Sequence, residues 1–365
     1  MKNNTYGLNL NYSVEGGSHD PEIRMCLSGF PEGVHIDMES LLSHMKRRAP
    51  GQNAWSTQRR EADIPVFESG IGEDGCTNGQ TIRVVIKNSD QHSTDYAFVY
   101  DTPRPGHADY PALVKYGSGV DLRGGGRFSG RLTALLCVVG FLCMSYLSKR
   151  GISVGAHILS LGGVSDVPFD PVRVDGKNFE TIRNRSFPTL NVSAGERMKE
   201  KITKAKEAGD SIGGLIECAA TGLPCGLGEH PFASVESRVS SLMYAIPAVK
   251  GVWFGDLSKA DTCWLGSYNN DPYTMENGRV VTKTNHAGGI LGGMTTGMPL
   301  LCTVAVKPTP SIARTQQTVS LTAKEERHLT VPGRHDPCIL PRAVPVVESA
   351  LALSLTDMML DPLEV

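Results

Sequence analysis

Gly333-Arg334-His335-Asp336-Pro337-Cys338, then Pro341-Arg342-Ala343-Val344-Pro345, then Val346-Val347-Glu348-Ser349-Ala350-Leu351-Ala352-Leu353-Ser354-Leu355, set a charged, turn-rich segment against a long apolar one. Pro345 suits the first residue of a helix, where its missing N–H would be unpaired anyway. From Val346 the spacing of Val347, Leu351, Leu355 and Met358 predicts a nearly all-apolar, buried helix that stops at Pro362. Charge on a loop at the mouth of a buried helix is costly unless something binds there. The plain alternative is a helix cap with surface ion pairs, and these residues alone leave both readings open.

Outward from that helix, Met38–Arg48 reads as a helix whose closing Lys46-Arg47-Arg48 suits the negative end of its dipole. Leu132–Leu147 is a 16-residue apolar run, short of the roughly 20 residues that span a bilayer, and reads as a core helix. Ser193-Ala194-Gly195-Glu196 matches a capping box opening a helix that stops at Gly209. Val235–Ala245 is helical and ended by Pro247. Ile82–Lys87, Ile212–Ala220 and Leu300–Val306 read as strands, with a hairpin around Lys324-Glu325-Glu326. Thr102–Arg131 is long, rich in glycine and poor in regular pattern, which in a compact protein marks a functional or disordered loop. No repeat or linker interrupts the chain. The expectation is one α+β domain over 1–365, four main helices packed on antiparallel sheets, with mobile loops near 49–60, 102–130 and 312–336.

Of 365 residues 40% are hydrophobic and 20% charged, which suits a sizeable core. The net charge of -2, from 36 basic and 38 acidic residues, argues against a general nucleic-acid surface and leaves room for a local basic pocket. Nine scattered cysteines without a Cys-x-x-Cys pair argue against a disulfide framework or zinc site and for a reducing cytosol. Met1-Lys2-Asn3-Asn4-Thr5-Tyr6 has no apolar signal-peptide core. The expectation is a cytoplasmic protein with no membrane span, no nucleic-acid partner and no metal.

Three features carry candidate chemistry. Gly124-Gly125-Gly126-Arg127-Phe128-Ser129-Gly130-Arg131 runs into a helix, and glycines with free N–H groups at a helix start favour a bound anion. Its likeness to a Walker A loop fails, because Arg131 stands for the lysine and Leu132 for the Ser/Thr that holds Mg²⁺, so triphosphate hydrolysis is disfavoured. His19 and His107 lie in glycine-bearing turns, where a histidine transfers protons or is merely structural. Asp336, beside Arg334, fits a tuned carboxylate as well as an ion pair. No His-Glu-x-x-His helix, EF-hand or Gly-x-Ser-x-Gly elbow is present. These residues describe a pocket for a polyanionic ligand with histidines at hand.

In combination, the motifs resemble the chorismate synthase family from Thr5 to about Asp361. They are Arg104-Pro-Gly-His-Ala-Asp-Tyr110, Arg123-Gly-Gly-Gly-Arg127, Gly209-Asp-Ser-Ile-Gly213, Ala248-Val-Lys-Gly251, Asn285-His-Ala-Gly-Gly-Ile-Leu-Gly-Gly293, Lys307-Pro-Thr-Pro-Ser311 and Gly333-Arg-His-Asp-Pro-Cys338. Seven motifs in the right order are far more specific than any one of them. The resemblance implies helices sandwiched between antiparallel β-sheets, a homotetramer, and the shikimate-pathway lyase that makes chorismate from 5-enolpyruvylshikimate-3-phosphate with reduced FMN, towards the aromatic amino acids. It implies that phosphate leaves from C3 and hydrogen from C6 in a trans 1,4-elimination, the flavin acting as transient electron donor and hydrogen acceptor.

By the same resemblance His19 is the general acid for the departing phosphate, His107 protonates or polarises the flavin, and Asp336 sits at its N5 edge. Arg48, Arg131 and Arg342 hold the substrate's anionic groups. The flavin-contacting segments correspond to Arg127, Phe128 and Ser129, to Pro247 and Ala248, to Gly292, to Lys307, Pro308, Thr309, Pro310 and Ser311, and to Arg334. The chain departs from the family pattern at Gly17 and Asp20 around His19, and at Ala54, Phe128, Gly130 and Pro247. Ala54 puts an NADPH contact in doubt. With His19, His107, Asp336 and Arg131 present, the expectation is an active enzyme relying on an external flavin reductant. The alternative is a catalytically impaired relative that still binds flavin or an anionic metabolite.

Overall fold

Alternation of apolar and polar residues in the first ninety positions builds the first sheet. In β3 (Glu22–Ser28) Ile23, Met25 and Leu27 point inward and are at most 1% exposed. They face Ile86, Val84 and Ile82 of β5 (Ile82–Lys87) across an antiparallel ladder. With β1 (Thr5–Tyr6), β2 (Asn11–Glu15) and β4 (Val66–Ser69) the sheet order is β1-β2-β3-β5-β4. The computed structural model describes residues 4–51, 53, 55, 61–89, 93–256, 265–333 and 336–361.

A second antiparallel sheet, in the order β7-β6-β8-β14-β9, comes from β6 (Ser153–Leu161), β7 (Val164–Ser165), β8 (Gly214–Thr221), β9 (Val249–Phe254) and β14 (Leu300–Val306). Among the described residues there are also three two-stranded ribbons. They are β10 (Tyr273–Glu276) with β11 (Arg279–Thr282), β12 (Ile290–Leu291) with β13 (Met294–Thr295), and β15 (Gln316–Ser320) with β16 (Glu325–Leu329).

Between the two sheets lie α1 (Met38–Arg48), α3 (Thr133–Ser148), α6 (Val235–Ala245) and α8 (Leu340–Met359), in one apolar core that runs from Leu10 to Met358. This is the α+β sandwich expected from the sequence. Asp37 caps α1 by accepting from the N–H groups of Glu39 and Ser40. Gly140 of α3 permits close packing on α8, since a Cβ there would collide with Ser349. Counted from its preceding turn, Gly130–Ser148 spans 19 residues, longer than the 16-residue run suggested, and is apolar enough to cross a bilayer; 67% of its most apolar window is buried within the protein instead.

α8 begins at Leu340, five residues before Pro345. Pro341 takes the first turn, where no N–H is needed, and Pro345 is accommodated inside the helix. Every residue from Leu340 to Met358 except Arg342 is buried, including five polar ones, and the two carboxylates among these need partners. Glu348 accepts Arg47 Nη1 at 2.6 Å, Arg47 Nη2 at 3.1 Å and the Ala156 N–H at 3.1 Å, tying α1, α8 and β6 together. Asp357 gathers the N–H groups of Leu8, Asn9 and Leu10 at 2.7–3.0 Å and closes the N-terminal segment onto α8.

Two other expectations shift. The stretch expected to be an irregular loop, Thr102–Arg131, contains α2 (Asp109–Tyr116) and a run of tight turns. The capping box at Ser193 is displaced: α5 (Val192–Glu207) starts two residues earlier than that box implies, with Asn191 as the cap accepting from the Ala194 N–H. Two short helices are α4 (Gly176–Arg183) and α7 (Gly266–Asn269). Much of the loop near 49–60, with Ala54, lies outside the described residues, as do Arg334 and His335.

Candidate active site

One cleft of about 820 Å³ opens where the C-terminal ends of α1 and α6 meet the N-terminal ends of α3 and α8. The two helix starts turn the positive ends of their dipoles toward it, a setting that favours anions. Loops at 104–108, 124–131, 247–250 and 307–311 form the remaining walls. Its volume lies within the roughly 300–1,000 Å³ of small-molecule sites.

Three arginines form the cationic floor. Arg48 ends α1, donating from Nη1 to Asp63 Oδ2 at 2.6 Å and from Nη2 to the Gly130 carbonyl at 2.8 Å. Arg131 binds the other Asp63 oxygen, and its Nε donates to Asn88 Oδ1 at 2.7 Å. Arg342, in the first turn of α8, donates from Nη1 to Asp336 Oδ2 at 2.5 Å and from Nε to the Arg48 carbonyl at 3.0 Å. Arg48 and Arg131 are only 3% and 4% exposed, so one buried carboxylate neutralises part of two buried charges. Burial alone would raise the Asp63 pKa; the guanidiniums of Arg48 and Arg131 more than offset it and hold the carboxyl below its ordinary range. Asp63 has a left-handed backbone, φ 52°, uncommon for a residue with a side chain.

His107 lines the cleft, with Nδ1 2.6 Å from Asp109 Oδ1 behind it. His19 is 8% exposed and stands behind Gly124, which itself lines the cleft. A Cβ at Gly124 would collide with the His19 ring, so the glycine and its φ of 57° bring histidine and cleft together. The loop carrying His19 is held by the Ser18 N–H on the Gly126 carbonyl at 3.1 Å. Asn88 Nδ2 adds bonds to the carbonyls of Gly17 at 3.2 Å and Asp20 at 2.6 Å. Asn88 thus couples the His19 loop to Arg131. At Gly17 a Cβ would lie 3.3 Å from the Gly126 carbonyl carbon, a close fit.

Opposite the arginines, Lys307 donates to the Gly106 carbonyl, and burial together with Lys250 pushes its ammonium pKa down. Ala248 holds φ 76°, and its carbonyl accepts from the Lys307 N–H at 2.9 Å. The buried Thr309 Oγ1 has no partner among the described residues. Apolar surface from Phe128, Ile246, Pro247, Ile339 and Val346 covers the same region. The arrangement can bind two anionic ligands side by side, one against an apolar panel, with imidazoles nearby for proton transfer.

Arg48, Arg131, Arg342, His107, Asp336, Arg127, Phe128, Ser129, Pro247, Ala248, Lys307, Thr309, Pro310 and Ser311 all line this one cleft. Pro308 lies within that last segment without lining it, and Arg334 falls outside the described residues. Gly292 sits elsewhere: its neighbour Gly293 accepts the Val235 N–H at 2.9 Å, at the far end of α6 from the cleft. That helix has 11 residues, so the separation is about 16 Å at 1.5 Å per residue. Sequence reading missed Asp63 and Asn88, which lie in no motif, and gave no role to Arg104 and Asp109, although both stand in a quoted motif.

The family model for chorismate synthase matches residues 10–360. The chorismate synthase of Lancefieldella parvula is 38% identical over 98% of this chain and 96% of its own. That of Methanococcoides burtonii is 41% identical over 99% of this chain and 96% of its own. A crystal structure of a chorismate synthase superposes with a TM-score of 0.76 at 26% identity, covering 98% of this chain and 94% of the other. With the sandwich fold and the three-arginine cleft alongside these matches, the chain belongs to the chorismate synthase family.

Proposed function

We propose that the cleft eliminates phosphate from 5-enolpyruvylshikimate-3-phosphate, forming chorismate with reduced FMN bound alongside. The observation that carries this is the convergence of Arg48, Arg131 and Arg342 on one floor beside His107. The substrate presents a phosphate and two carboxylates, and charge-assisted hydrogen bonds to arginine are the strong way to hold them.

The residues present also fit a flavin. The apolar panel of Phe128, Ile246 and Pro247 suits a planar ring, while Lys307, Lys250, Arg127 and the unpartnered Thr309 hydroxyl suit its phosphate and polar edge. Transient electron donation and a place for the C6 hydrogen are the chemistry the bound reduced flavin supplies. The protein's own work is binding and proton handling. Arg48 and Arg131, with Asp63 already fixing their geometry, orient the phosphate. His19 delivers a proton to the departing phosphate oxygen, and His107 exchanges a proton at the cofactor side of the cleft. Asp336, paired with Arg342, is the carboxylate available to accept a proton there. On this reading the protein acts in the cytoplasm as a homotetramer, with an external donor reducing the flavin.

The test is an anaerobic assay with photoreduced FMN and 5-enolpyruvylshikimate-3-phosphate. Stoichiometric phosphate and chorismate are expected. No phosphate release under conditions where flavin binds would refute the reading in favour of an impaired relative.

A further inference from the structure

The tightest polar cluster at the cleft wall is Arg104-Pro-Gly-His107-Ala-Asp109, whose two charged residues have no role in the reading above. Asp109 opens α2 with its side chain fully buried. Its Oδ2 accepts the Arg104 backbone N–H at 3.0 Å and Arg104 Nε at 2.7 Å. Its Oδ1 accepts Arg104 Nη2 at 2.8 Å and lies 2.6 Å from His107 Nδ1. Arg104, 5% exposed, also donates from Nη1 to Ser311 Oγ at 3.3 Å, which fixes it to the opposite wall.

Two acceptors cannot sit 2.6 Å apart, so Nδ1 carries the hydrogen and donates it to Asp109. Arg104 Nη2 lies 3.1 Å from the same nitrogen and has a second hydrogen beyond the one on Oδ1, but an Nδ1 that already carries its own hydrogen offers no in-plane lone pair to accept it. We propose that Asp109, with Arg104 as its counter-charge, is a positioning residue that fixes His107 as the Nδ1–H tautomer and leaves Nε2 as its proton-exchanging atom. Nε2 and Cε1 are the ring atoms turned toward the backbone of Gly125, a Cβ on which would stand 3.4–3.5 Å away. The charged groups facing the imidazole from its own loop are Arg104 and Asp109. From the neighbouring wall Lys307 approaches no nearer than the Gly106 carbonyl it bonds. Asp109 acts on the ring by orientation and tautomer. This proposal rests on the reading of the cleft as the active site.

D109N tests it. In the variant the amide oxygen belongs at the Oδ2 position, where two Arg104 donors require an acceptor. The NH₂ is then left facing Nδ1, and the imidazole is driven to the Nε2–H tautomer. Turnover should fall about 10²–10⁴-fold with substrate KM changed less than about threefold. The H107A/D109N double variant should be no slower than H107A alone, because Asp109 acts through the ring. Nitrogen NMR of histidine-labelled protein without substrate reads the tautomer directly, Nδ1–H in the wild type and Nε2–H in D109N. An Nε2–H signal in the wild type, an unshifted tautomer in D109N, or a double variant at least tenfold slower than H107A would overturn the proposal. The wild-type tautomer decides even if D109N fails to fold. Should H107A turn over normally, the reading of His107 falls while the tautomer signals still judge Asp109.

Discussion

Glu348 offers the most quantitative test of how α8 is held in place. Its side chain is fully buried, with Arg47 paired to it at 2.6 Å and Arg183 Nε at 3.9 Å. Burial by itself would raise its pKa. Arg47 and Arg183 reverse that, so the carboxyl titrates at about 2, against 4.5 in a free chain. At 1.36 kcal/mol per pH unit this gap stabilises the fold by about 3 kcal/mol, near the roughly 3–5 kcal/mol lost when one partner of a buried pair is removed. Because the folded value is the lower one, the contribution is present above about pH 4.5 and lost as pH falls toward about 2.

E348Q keeps the volume and removes the charge. Urea denaturation at about pH 7 should show the variant about 3 kcal/mol less stable, and the gap should shrink below about pH 4.5 as the carboxyl of the unfolded wild-type chain protonates while the folded one does not. A gap under about 1 kcal/mol at neutrality, or one unchanged down to about pH 3, would refute the claim that this charge is what the arginines are paired to.

Three further outcomes follow from the cleft. D63N leaves two buried guanidiniums without their shared counter-ion, so stability should drop by about 3 kcal/mol and substrate KM should rise at least tenfold; a wild-type KM from steady-state assay would exclude Asp63 from ordering the floor. G124A forces a Cβ into a left-handed position against the His19 ring, and should lower turnover more than tenfold while flavin binding, read by fluorescence quenching, persists. H19A should slow phosphate release by about 10²–10⁴-fold with substrate still bound, and equal turnover would remove His19 from the mechanism.

Elements with local signals were legible to the residue. α1, α6, β5 and β14 begin and end where capping, β-branched runs or a following proline put them. Elements whose limits depend on distant partners were not. Asn191 and Ser193 can both cap α5, and the choice falls to Asn191 because Asp166 binds the Leu190 and Asn191 N–H groups at 2.5 and 2.8 Å. Nothing near residue 191 in the sequence discloses Asp166. α2 was hidden because Pro111 and the flanking Gly106 and Gly117 read as loop, although a proline in the first turn removes no helical hydrogen bond.

The same distinction separates the site's cations from their counter-ions. The arginines and histidines carry local signals, with His107 in a motif, His19 in a glycine-bearing turn, Arg131 after a glycine run, Arg48 ending a helix and Arg342 beside a proline, so their chemistry can be read from the chain. Asp63 lies 68 positions before Arg131 and is recognisable only once α1 and α3 are packed. The segment from Asp336 to Arg342 is the instructive exception, because its ion pair spans six residues and needs no distant element. Had α8 begun at Pro345, Arg342 would sit on a loop, free to follow any surface carboxylate. Since it begins at Leu340, Arg342 is locked into the first helical turn with its Nε on the Arg48 carbonyl. Asp336 must then come to the arginine. The charge that looked like a helix cap is instead aimed by the buried helix into the cleft, and the stability supplied by Glu348 nearly two turns further on is what keeps it aimed.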